Sequence, residues 1–93
     1  MLFVTLLTLK PTAKLEEALQ RRAQWKTPAG VKQIAEYWPL TKTPHVISID
    51  EADDIAPLAA ATMPWLDLFD IIVSPAVTAE EGIKLASQSI SKV

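Results

Sequence analysis

The sequence predicts an α+β domain: one antiparallel sheet of four strands, two helices laid across it, and an extra helix at the C-terminal end. Three observations carry that expectation. Met1 to Leu9 is apolar in both of its alternating sets, the mark of a strand in the middle of a sheet. Two amphipathic helical stripes interrupt the strand-like segments in the order strand, helix, strand, strand, helix, strand. The chain has 93 residues, 49% hydrophobic and 22% charged, which suits one soluble globular domain and leaves no room for a second.

In the first strand, Leu2, Val4 and Leu6 form one set and Phe3, Thr5 and Leu7 the other, and Lys10-Pro11 ends it. Thr12 is the expected cap of the first helix. Its Leu15, Ala18, Leu19 and Ala23 share a face, with Glu16, Glu17, Gln20 and Arg21 outside, and it should run to Trp25. Thr27-Pro28-Ala29-Gly30 breaks it, because the residue before a proline avoids the helical region and glycine permits a reversal. Val31 to Leu40 reads as the second strand, with Ile34, Glu36 and Trp38 on one side and Gln33, Ala35 and Tyr37 on the other. A turn rich in proline, Thr41 to Pro44, leads to the third strand, His45 to Asp50.

Asp53 or Asp54 caps the second helix, whose inward stripe is Ile55, Leu58, Ala59 and Thr62, and Pro57 is tolerated in its first turn. Met63-Pro64 stops it. Leu66 to Val73 is the fourth strand, closed by Ser74-Pro75. Thr78-Ala79-Glu80-Glu81 is a capping box, and the helix it opens carries Ile83, Ala86, Ile90 and Val93 on one side. The domain therefore spans residues 1–93, with a core over 1–77 and a C-terminal helix over 78–93.

Two split βαβ units in this order give a ferredoxin-like βαββαβ fold, with strands one and three central. The helices cover one face. The more uniformly apolar set, Leu2, Val4, Leu6, Ala35, Ile47, Ile49, Phe69, Ile71 and Val73, is expected beneath them. The other face then presents Phe3, Leu7, Ile34, Val46 and Ile72, with Trp38, among Thr5, Glu36, Ser48 and Asp70. So many large apolar residues on an open face call for a partner, and a second copy is the simplest one. Burying roughly 600 Å² of apolar surface per partner contributes on the order of 15 kcal/mol before association costs. A homodimer is expected, with Phe3, Leu7, Ile34, Val46 and Ile72 at its interface.

Composition excludes several function classes. The net charge of -2 and pI near 5.2 leave no basic stripe for nucleic acid. Arg21, Arg22 and Lys26 fall at a helix end, where cations suit the helix dipole. Cysteine is absent, so neither a disulfide nor a thiolate metal site is expected, and two glycines make no phosphate cradle. The apolar N-terminus lacks the basic flank and small-residue site of a signal peptide, and no run is long enough to span a membrane. The expected location is cytoplasmic.

Few residues carry chemistry. His45, the sole histidine, is a general-base or metal-ligand candidate set against a plain role at a strand edge. Glu36 and Asp70 are charges on mostly apolar strands. In an enclosed cleft either would have a raised pKa and move protons; on edge strands such charges also discourage sheet aggregation. Trp38, Thr5 and Ser48 are the expected ligand-binding residues, whereas Trp25 and Trp65 sit at helix ends and suit packing under the sheet edges. Glu51, Asp53 and Asp54 lack the alternating geometry of an EF-hand, and capping explains them better. No metal or cofactor is expected.

Trp25-Lys26 before Pro28-x-Gly30-Val31-Lys32, then Glu51-Ala52-Asp53-Asp54, then Trp65-x-Asp67-Leu68 ahead of a strand ending in Ser74-Pro75, resemble the DUF3303 family over roughly residues 1 to 77. That family is similar to the dimeric α+β barrel superfamily. The resemblance implies a ferredoxin-like protomer whose sheet faces that of a second copy, and it implies no particular reaction, since the superfamily spans monooxygenases, isomerase-like enzymes, haem-handling proteins and binders. Such sequences are expected to carry a histidine just after the aromatic residue of strand two, where this chain has Trp38. Of the functions open to it, binding a small, largely apolar molecule fits best, because no nucleophile-and-base spacing is present. The alternative is a cofactor-independent monooxygenase- or isomerase-like enzyme in which Glu36, Asp70 or His45 handles a proton. A haem- or metal-binding protein is a third reading, short of ligands.

Overall fold

A computed structural model describes residues 1–41 and 43–91. Its elements run β1 (Leu2–Leu9), α1 (Leu15–Ala23), β2 (Lys32–Tyr37), β3 (Val46–Glu51), α2 (Ile55–Thr62), a 3-10 turn (Met63–Trp65), β4 (Phe69–Ala76) and α3 (Ala79–Ser91). The strands form one antiparallel sheet in the order β2-β3-β1-β4, so β1 and β3 are central. This is the expected α+β, ferredoxin-like arrangement with an extra C-terminal helix.

Local chemistry sets the element ends. Asp54 caps α2, its Oδ1 accepting from the Ala56 N–H at 2.7 Å. Thr78 caps α3 by accepting from the Glu81 N–H at 3.2 Å. Helix α1 begins later than Thr12 suggests: Lys14 holds the cap position without a side-chain hydrogen bond. β2 is shorter than Val31 to Leu40, and β4 starts at Phe69 and continues through Ser74-Pro75 to Ala76. Proline is tolerated there because β4 is an edge strand. Gly30 adopts φ +87°, and a Cβ added to it would lie 3.3 Å from the Pro57 ring, so the bend into β2 needs glycine twice over. Val93, expected on the apolar stripe of the last helix, lies outside the described residues.

The register corrects the expected division of the sheet. Phe3, Thr5 and Leu7 stand opposite Asp50, Ser48 and Val46 on one side and Pro75, Val73 and Ile71 on the other. Phe3 is 1% exposed and packs with Ala52 and Leu58, so this mixed face is the one beneath the helices. Phe3, Leu7 and Val46 therefore line the interior and not an open interface. The aliphatic set Leu2, Val4, Leu6, Ile47 and Ile49, joined by Ile72, forms the opposite face, while Phe69, Ile71 and Val73 of β4 belong to the helix side. A bulge between Gln33 and Ala35 shifts the phase of β2, leaving Ile34 exposed and bringing Gln33 and Glu36 to the same side.

The interior is divided. One cluster joins Ala18, Trp65, Leu68 and Phe69, with Trp25 meeting Trp65 edge-on at 5.4 Å. The second joins Phe3, Ala52 and Leu58. Arg21 braces the first by donating to Asp67 (2.7 and 3.0 Å) and to the Pro64 carbonyl (2.7 Å). Helix α3 leaves Ile83 and Ile90 exposed, and the radius of gyration of 15.4 Å exceeds the roughly 12 Å of a compact domain this long.

Candidate functional site

Between the two clusters lies a cleft of about 340 Å³, floored by the sheet and roofed by α1 and α2. Its apolar wall comes from Leu15, Ala18 and Leu19 of α1, Leu58 of α2, and Leu7, Trp25, Trp65 and Phe69. Leu15 and Leu19 are the inner stripe of an amphipathic helix, yet both remain half exposed because the space they face is open.

The polar groups gather on the β2–β3 side. Glu36 accepts from the Trp38 Nε1–H (2.8 Å), from Gln33 Nε2 (2.9 Å) and from both Nε and Nη2 of Arg22 (3.3 Å each). Gln33 Nε2 also donates to Ser48 Oγ (3.3 Å), and Ser48 donates to Asp50 Oδ2 at 2.9 Å. A chain of hydrogen bonds thus runs from Arg22 through Glu36, Gln33 and Ser48 to Asp50, all five lining the cleft. Burial pushes the Glu36 carboxyl up, but the donors Trp38, Gln33 and Arg22 outweigh it and hold its pKa below the usual glutamate value.

Asp50 has the opposite balance. It is 6% exposed; burial raises its pKa, Ser48 offsets part of that rise, and the charge of Glu36 adds to it. Between its ordinary and its raised value the folded chain binds more protons than the unfolded chain, so stability falls as pH climbs through that window. The penalty is absent below the window and complete above it. Asp50→Asn should therefore raise unfolding free energy at about pH 7 and leave it little changed at about pH 3. Urea unfolding at both values checks this; a variant weaker at neutral pH would show that the carboxylate is held by more than Ser48.

The structure places the expected site residues unequally. Thr5, Glu36, Trp38, His45 and Ser48 all line the cleft. His45 is pinned to β1, its N–H donating to the Leu7 carbonyl at 2.8 Å and its Nδ1 accepting from the Leu9 N–H at 3.1 Å. Asp70 pairs with Thr8, on the sheet face away from the helices, so it does not share the cleft with Glu36. Asp50 was missed by sequence reasoning. The available signal was its position two residues beyond Ser48 on a central strand, in phase with Thr5 and Phe3. Among the described residues, no group of three or more His, Asp or Glu is placed to hold a metal.

A family model for a domain of unknown function, DUF3303, matches residues 1–90. The chain belongs to the DUF3303 family. The match passes the 1–77 span of the sequence motifs and takes in most of α3, so the last helix is part of the family's pattern. No curated protein and no solved structure matches the chain. Among the described residues, no helix is long and apolar enough to cross a membrane.

Proposed function

We propose that this member of the DUF3303 family is a homodimeric binding protein that holds a small, largely apolar molecule between its sheet and its helices. The cleft carries the reading: it is walled by aromatic and aliphatic side chains and has its polar groups confined to one side, the usual design of a small-molecule site. The dimer rests on the aliphatic face of Leu2, Val4, Leu6, Ile47, Ile49 and Ile72. Ile72 is 63% exposed there, on the side of the sheet away from α1 and α2. The resemblance to dimeric α+β barrels supports the same pairing. The absence of cysteine suits a cytoplasmic setting.

A second reading, a cofactor-independent enzyme of monooxygenase or isomerase type, is favoured by one observation. Asp50 is a buried carboxylate with a raised pKa at the edge of the cleft, the condition of a general base. Native mass spectrometry on protein purified gently from its own host tests the first reading. Two chains with a reproducible additional mass are the expected result; a bare single chain overturns it. Loss of turnover with binding intact in Asp50→Asn would decide for the enzyme.

A further inference from the structure

The hydrogen-bonding capacity left over in the cleft says what kind of head group its occupant carries. Most donors of the polar side are already committed. Arg22 gives its Nε–H and one Nη2–H to Glu36 and keeps three N–H, Trp38 gives its Nε1–H to Glu36, and both protons of Gln33 Nε2 go to Glu36 and Ser48. The Ser48 proton goes to Asp50. The four contacts from Arg22, Gln33 and Trp38 also fill Glu36.

Acceptors remain. Among the described residues, Asp50 Oδ1 and Gln33 Oε1 have no hydrogen-bond partner, and neither has the Thr5 hydroxyl, which the register sets opposite Ser48. His45 also remains a donor, since its Nδ1 accepts from Leu9 and leaves the proton of the neutral ring on Nε2. It stands just before β3, five residues from Asp50.

We infer that the occupant of this cleft has an apolar, aromatic-sized body and a hydrogen-bond-donor head, a hydroxyl or an amine, seated against Asp50, Gln33 and Thr5. The inference rests on the cleft being a binding site. A carboxylate brought to Asp50 would meet a second carboxylate in a confined space. A donor head instead meets a carboxylate oxygen, and hydrogen bonds to charged groups are the stronger kind.

The test uses four probes that share one body: naphthalene, 1-naphthol, 1-naphthylmethylamine and 1-naphthoate, titrated by quenching of the chain's tryptophan fluorescence. The naphthol or the amine should bind roughly tenfold or more tighter than naphthalene, and the acid more weakly than either. Asp50→Leu should erase the preference for the donor head while naphthalene binding persists, which also shows that the variant is folded. Naphthalene bound as tightly as the donor probes, or naphthoate bound best, overturns the donor-head inference and leaves the cleft a binding site. No binding of any probe removes the binding reading itself. A preference for the amine that vanishes above the amine's own pKa identifies a cationic head; a preference shared by the naphthol identifies a neutral one.

Discussion

Ile49→Asp should turn the proposed homodimer into a folded monomer. Ile49 lies on central strand β3, opposite Val4 on one side and Ala35 on the other, in the middle of the aliphatic face. In a two-fold pairing of that face, each protomer would bury one new carboxylate without a partner. An unpaired buried charge costs several kcal/mol, which corresponds to a weakening on the order of a thousandfold or more. In the isolated chain the same side chain lies on the sheet face away from α1 and α2 and outside both core clusters, so the fold should survive. Sedimentation equilibrium reads the association state, and far-ultraviolet circular dichroism reads the fold. A variant that stays dimeric would show that the copies meet through another surface.

Phe3→Ala should lower unfolding free energy by about 3–4 kcal/mol, a large share of what a domain of this size has. Phe3 is the largest fully buried side chain and anchors the cluster under α2 with Ala52 and Leu58. The cavity left behind cannot close fully, because Thr5 and Asp50, its neighbours on the same face, are polar. Denaturant unfolding in the Ile49→Asp background isolates this loss from any change in association. A loss confined to the dimer would return Phe3 to an interface.

These two residues also mark where the sequence was legible and where it was not. The order of elements, the central position of β1 and the caps at Asp54 and Thr78 follow from local chemistry: periodicity, proline, and side chains that satisfy free N–H groups. Which face lies inward does not. Uniform apolarity pointed to Leu2, Val4 and Leu6, but the inner face here also builds a cleft and so carries Thr5, Ser48 and Asp50. β4 kept its expected sides, with Phe69, Ile71 and Val73 beneath the helices and Ile72 opposite, while the faces of β1 and β3 were exchanged. The bulge at Ile34 hid the union of Gln33 with Glu36, since strict alternation puts residues three apart on opposite faces. Glu36, Trp38 and Ser48 stood out as polar or aromatic groups on strands. Asp50 passed unnoticed at a strand end, where aspartate is ordinary.

The divided interior has a further consequence. Ala18, Trp65, Leu68 and Phe69 on one side and Phe3, Ala52 and Leu58 on the other are joined through the sheet, with open space between them. A molecule lodged in that space becomes the missing middle of the core, touching both halves at once. Its binding free energy then adds to that of folding, by about 2.7 kcal/mol at a hundred times its dissociation constant. Abundance of such a chain would track supply of its guest: empty copies unfold more often and are cleared by proteases, while filled ones persist.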